Sequence, residues 1–234
     1  MEFVVPRARP LAELLRGASA ADLNALADLI TDNGKGRVAL DSSVKARILS
    51  HKAKGSLHSI AQVLAAEISA FGGNSIANLF RSSGVSYLEL ATDVAKKVGG
   101  KPAATDDIYD IEDIVINLAG PKYLGKNAPK DHLDNAAMAA YIGQLMTALL
   151  INAGNAAGIA SAGGAAGIAS AIGGRLVTLV APPVAVGVAG ATIIQATAPA
   201  FRITIPAVLQ VAKIRRTRFN ADFAAYTEKL RACM

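Results

Sequence analysis

The chain has 234 residues, 52% of them hydrophobic and only 18% charged, with a mean hydropathy of +0.36 and a formal net charge of +6. That length allows one or two domains with a real core, and aromatic residues are scarce, with no Trp at all. The single cysteine, Cys233, excludes an intramolecular disulfide and stands too near the end for a prenylation box.

The opening MEFVVPRARP carries no positive segment followed by an apolar core, so synthesis in the cytoplasm without a secretory signal is expected. Pro6 and Pro10 make residues 1–9 a loose arm. Leu11, Leu14 and Leu15 then share a helix face that Gly17 ends. Ser19 reads as the N-cap of a second helix, with Asp22 three residues on and Leu23, Leu26, Leu29 and Ile30 at helical spacing. Asn33 and Gly34 stop it. The stretch from Gly34 to Gly55 is basic and polar and reads as partly helical at best. A clear helix follows on Leu57, Ile60, Ala61, Leu64, Ile68 and Phe71, ended at Gly72 and Gly73. Asn74 caps a short helix through Phe80. Ser86 opens another, with Tyr87, Leu90, Ala91, Val94 and Val98 on one side.

Thr105 reads as the cap of an acidic helix whose apolar face is Ile108, Ile111, Val115 and Leu118, ended by Gly120 and Pro121. Its carboxylates Asp106, Asp110 and Asp113 share a face. They suit the positive end of the helix dipole better than a calcium site, since no glycine-centred loop is present. The Pro- and Lys-rich loop 121–130 marks a boundary, giving a soluble helical domain over 1–130 and a second part over 131–234.

Asn135–Phe201 contains one charge, Arg175. AAGIAS occurs at Ala156–Ser161 and again at Ala165–Ser170. Gly154 with Gly158, and Gly163 with Gly167, form GxxxG pairs of the kind that let helices approach closely in lipid. Arg175 falls at a turn, and Pro182 and Pro183 kink the return arm. Ala136–Gly174 is long enough for one or nearly two membrane spans, and Leu176–Ala198 for one more. The expected fold is therefore all-α: a multi-helix bundle with a Gly/Ala-rich apolar helical hairpin toward the C-terminus, closed by a basic helix. In that helix Arg202, Lys213, Arg215, Arg216 and Arg218 suit anionic lipid head groups.

No catalytic motif, metal-ligand spacing or cofactor fingerprint is present, so no enzyme, metal or cofactor is expected. His51, His58 and His132 are scattered. The scarcity of aromatics and the lack of a reading motif argue against nucleic acid. The function expected is a non-enzymatic membrane-associating protein whose hairpin inserts into or packs on a bilayer, with a pore-forming toxin or effector as one form. The rival reading is a chaperone or assembly factor that binds an apolar segment of a membrane-protein client. Anionic lipids are the expected partners, beside a homo-oligomer or protein client, and the location is the inner membrane or its periphery.

Three blocks carry a resemblance: LADLITDNGKGRVALDSS at Leu26–Ser43, ISAFGGNSIANLFRSSGVSYLELATDVAKKVG at Ile68–Gly99, and FRITIPAVLQVAKIRR at Phe201–Arg216. Together they resemble the bacterial YaaW-like proteins, grouped with ubiquinol-cytochrome c chaperones. The resemblance implies no catalytic residues. Its chaperone grouping implies help in assembling membrane complexes. In these blocks Phe71, Gly72, Gly73 and Asn74 read as an architectural helix stop and cap. Pro206 reads as a first-turn proline, where its missing N–H costs nothing.

Overall fold

The computed structural model describes residues 5–36, 40–73, 85–125, 128, 133, 135–152 and 199–233. Among them are eight α-helices: α1 Leu11–Arg16, α2 Ala20–Thr31, α3 Ser42–Ala53, α4 Ala61–Gly73, α5 Tyr87–Val98, α6 Ile108–Leu124, α7 Asn135–Asn152 and α8 Pro199–Ala232, with a 3-10 turn at Leu57–Ile60 before α4.

The caps explain most of the boundaries. Ser19 accepts from the Asp22 amide at the start of α2, as its spacing predicts. Asp32, at the C-cap of α2, takes a left-handed conformation, one that Asp tolerates better than most residues. Ser86 and Glu89 form a capping box at α5, and Gly99 in the left-handed region ends that helix.

The basic stretch is helical in part, as expected: α3 takes Ser42–Ala53, nucleated where the Asp41 carboxylate accepts from the amides of Ser43 and Val44. Two local expectations fail for physical reasons. The cap of α6 is Asp107, in a box with Asp110, and Thr105 stands outside the helix. The α6 helix also runs through Gly120 and Pro121 to Leu124. Pro121 frees the carbonyl of Asn117 four residues back, and Asn117 is exposed, so water can take that carbonyl. Gly120 has a further use: a Cβ there would collide with the Tyr141 hydroxyl of α7.

The core is organised round α8. Every residue from Thr204 to Arg216 is buried, and this half of the helix is packed by α1, α2, α4, α5, α6 and α7. Ala207, Val208, Leu209, Val211 and Ala212 meet the inward faces of the surrounding helices, including Leu26 and Ile30 of α2, Leu64 of α4, Leu90 of α5, Ile116 of α6 and Leu145 of α7, all in one cluster. Residues on both sides of position 130 share that cluster. Pro206 lies inside α8, not in its first turn. Phe71, Gly72 and Gly73 form the last turn of α4, and Asn74 lies outside the described residues.

The all-α bundle stands, but the membrane hairpin does not. No helix among the described residues is long and apolar enough to cross a membrane. Of the first arm of the expected hairpin only the start is described, as α7, which turns Tyr141, Ile142, Leu145, Met146 and Leu149 into the bundle core. Gly154, Gly158, Gly163, Gly167, Arg175, Pro182 and Pro183 lie outside the described residues.

Candidate functional site

Two basic segments dominate the charged architecture, and they meet opposite fates. The first is the run at the end of the buried half of α8. Arg215 and Arg216 are 2% and 3% exposed and Lys213 is 7% exposed. Charges so buried need partners, because an isolated buried ion costs several kcal/mol even after relaxation. The partners come from helices distant in sequence. Glu112 of α6 is fully buried. Arg215 Nε donates to its Oε1 and Oε2 at 3.1 and 3.0 Å, Tyr87 Oη donates to Oε1 at 2.9 Å, and Arg216 Nη1 lies 3.5 Å from Oε2. Arg216 also pairs with Asp113 and stacks over the Tyr109 ring at 4.5 Å. Arg7 sits 4.7 Å from the same ring's centroid.

Lys213 donates to Asp22 Oδ1 at 2.8 Å, Gln210 Nε2 to the same oxygen at 2.9 Å, and Ser19 Oγ to Oδ2 at 2.7 Å. Arg215 Nη1 reaches the Arg9 carbonyl at 3.0 Å and so ties down the N-terminal arm. Burial pushes the Glu112 carboxyl above its ordinary value, against the pull of Arg215 and Arg216. The buried Tyr87 hydroxyl is pushed well up, first by desolvation and then by the Glu112 charge.

This network overturns the lipid reading. Lys213, Arg215 and Arg216 are consumed inside the protein. Arg218 is exposed but pairs with Asp222 at 2.9 Å. Arg202 belongs to the backbone of α8, and its side chain is outside the described residues. With no spanning helix among the described residues and the basic cluster buried, the anionic-lipid partner is corrected. So are the bilayer-inserting or pore-forming function and the inner-membrane or membrane-peripheral location. Among the described residues an apolar groove for a client is not apparent either. The large apolar side chains exposed among the described residues are Leu88, Leu118, Phe223 and Leu230, spread over three helices. A cavity of about 160 Å³ between Arg16, Leu23, Asn24, Leu57 and His58 is small beside ordinary ligand pockets of ~300–1,000 Å³.

The second basic segment is α3 with its flanks. Lys35, Arg37, Lys45, Arg47, Lys52 and Lys54 are set against one acid, Asp41. That carboxylate is occupied by the cap of α3, and the Ser43 hydroxyl and amide hold it below the usual aspartate value. Only Ile48 of α3 is fully buried, and among the described residues the helix packs mainly on α2 and the 3-10 turn. Lys52 pairs with Asp28. Among the described residues, Lys35, Lys45, Arg47 and Lys54 have no ion-pair partner; Arg37 lies outside them.

The turn before α3 looks at first like a phosphate cradle, with positive φ at Asp32, Asn33, Gly34 and Gly36. Its amides are already used. Asn33 donates to the Asp28 carbonyl, Gly34 to the Thr31 hydroxyl, Lys35 to the Asp32 carbonyl and Gly36 to the Thr31 carbonyl. The segment therefore offers side-chain charges and not a backbone nest.

His51 Nδ1 lies 3.0 Å from Ser56 Oγ and 3.2 Å from Ser59 Oγ, closing the end of α3. It was not singled out as part of any site by its spacing. No group of His, Cys, Asp and Glu able to hold a metal occurs among the described residues.

The fold thus defines an all-α bundle built round one buried, ion-paired helix. No family model matches the chain, and neither a curated protein nor a solved structure does. The resemblance to YaaW-like proteins rests on its three sequence blocks alone.

Proposed function

We propose that this chain is a non-enzymatic helical interaction module whose α3 face docks an acidic segment of a partner protein. The observation that carries the reading is the positive charge left at α3, on Lys35, Lys45, Arg47 and Lys54, after the ion pairs of the bundle are assigned. Two features support an acidic protein over other polyanions. Residues 32–60 contain no Phe, Tyr or Trp on which a base could stack. The exposed spine of α3 is Ser43, Ala46, Ser50 and Ala53, small enough for another chain to approach between the flanking cations. With little apolar surface to bury there, contact is electrostatic, fast to form and weakened by salt. Kinship with YaaW-like proteins is a proposal resting on the shared blocks, and it adds no chemistry to this reading.

The test is fluorescence anisotropy of a labelled polyglutamate peptide titrated with the full chain. Binding at low ionic strength, lost with added salt and abolished in Lys45→Glu/Arg47→Glu/Lys54→Glu, is the expected result. An unchanged titration with that triple variant would overturn the reading. So would tighter binding to a single-stranded oligonucleotide of equal charge.

A further inference from the structure

Beyond Arg216, α8 changes character. From Thr217 to Cys233 no residue is buried, and the helix continues to Ala232. Its apolar side chains fall at Phe219, Phe223, Tyr226 and Leu230, spaced four, three and four residues apart. That is the heptad stripe of a two-helix seam. Phe223 and Leu230 are 55% and 48% exposed, the most exposed large apolar side chains among the described residues. Phe219 leans edge-on against Tyr109 at 5.6 Å and stacks with Phe223 at 6.4 Å, which stiffens the base of the stripe. A stripe of this kind is made to meet another helix.

We propose that the occupant is a second copy of the same stretch of α8, laid antiparallel. Charge placement makes the choice. When two copies run in opposite directions with Phe223 facing Tyr226 and Phe219 facing Leu230, the seam-flanking Asp222 of each comes opposite Lys229 of the other, twice by symmetry. Asn220 and Thr227, a polar pair, meet on the opposite flank. In the parallel arrangement Asp222 faces Thr227 and gains no opposite charge. Asp222 already takes Arg9 and Arg218, so Lys229 contributes direction more than affinity. The seam is short beside a standard interface of about 1,600 Å², and a weak, concentration-dependent dimer follows. Association of this kind doubles the number of α3 faces per particle without touching α3.

Sedimentation equilibrium of the full chain over a range of concentrations tests the inference. The weight-average mass is expected to rise from one chain toward two. Phe223→Asp/Leu230→Asp should hold it at one chain with an unchanged urea midpoint, since both side chains are exposed. Lys229→Glu, a milder surface change with little bearing on folding, should weaken the dimer several-fold, because it sets like charges opposite Asp222. Cys233 separates the two orientations. In the antiparallel seam the two copies of Cys233 stand about 25 Å apart at 1.5 Å per residue, whereas a parallel seam sets them side by side. Oxidation should therefore give no more disulfide dimer in the wild type than in Phe223→Asp/Leu230→Asp. A wild type that stays one chain at every concentration overturns the proposal. So does a dimer indifferent to Phe223→Asp/Leu230→Asp or to Lys229→Glu, or a rapid Cys233 disulfide that depends on the stripe.

Discussion

Segments 35–54 and 213–218 look alike as sequence: each is a basic run on a helix. In the fold they are opposites. Lys213, Arg215 and Arg216 sit in the wall of the core and are answered by Asp22, Glu112 and Asp113 from helices far away in the chain. Lys45, Arg47 and Lys54 stand on a helix with a single fully buried side chain. The difference teaches that a basic cluster is evidence for an anionic partner only after the protein's own carboxylates have been assigned. The segment with the more clustered arginines turns out to be structural, and the more dispersed one keeps its charge for others.

The comparison can be broken most forcefully at Glu112. Glu112→Gln keeps the volume and removes the charge, leaving the buried Arg215 without its carboxylate partner and Arg216 with Asp113 alone. A loss of about 3–5 kcal/mol is expected, the range for breaking a buried pair from one side. Urea denaturation of the full chain reads it, and a loss within 0.5 kcal/mol of zero, the range of ordinary surface changes, would mean that the network does not hold α8.

A smaller effect comes from the half-exposed end of the same helix. Burial raises the Asp222 carboxyl, but hydrogen bonds from Arg218 and Arg9 outweigh it and hold the group below the usual aspartate value. A folded value below the unfolded one means that the folded state favours the charged form. The stabilisation is therefore complete above about pH 4 and is lost as pH falls through the folded value. Asp222→Asn should cost about 1 kcal/mol or less at neutral pH, with the gap from wild type closing in acid. A gap that widens in acid would contradict the assignment.

The smallest effect on stability belongs to α3. Lys45→Glu/Arg47→Glu/Lys54→Glu should leave the urea midpoint within about 0.5 kcal/mol of wild type, while removing the capacity to bind polyglutamate. If this triple variant unfolds the protein, α3 is a structural element like α8 and the contrast fails.

Much of the architecture was legible from local pattern. Ser19 with Asp22, the opening of α5 at Ser86, and the stripes on α2, α4 and α5 follow from caps and periodicity, and all are local in sequence. For α3 only a partly helical stretch was legible and not its bounds, because its mean apolarity is low and its start rests on the Asp41 cap. The network was missed because its pairs lie 103 and 191 residues apart, beyond any spacing rule. A signal existed nonetheless. Glu112 falls four residues after Ile108 and three before Val115, on the buried stripe of α6. Asp22 falls four before Leu26 on α2, and Arg215 and Arg216 continue the Val208, Leu209 and Ala212 face of α8. Charges in register with apolar stripes on separate helices are candidates for one buried network. The long uncharged run drew attention to 135–201 instead, and with it a membrane reading that the described helices do not support.

The central claim is that positive charge is spent at α8 and available at α3. Site-resolved acetylation of lysines in the folded full chain, read by mass spectrometry with and without polyglutamate, tests it most directly. Lys213 should react slowly under both conditions, while Lys35, Lys45 and Lys54 react fast alone and are protected when the peptide is added. Equal reactivity of Lys213 and Lys45, or no protection of the α3 lysines by the peptide, would contradict the account.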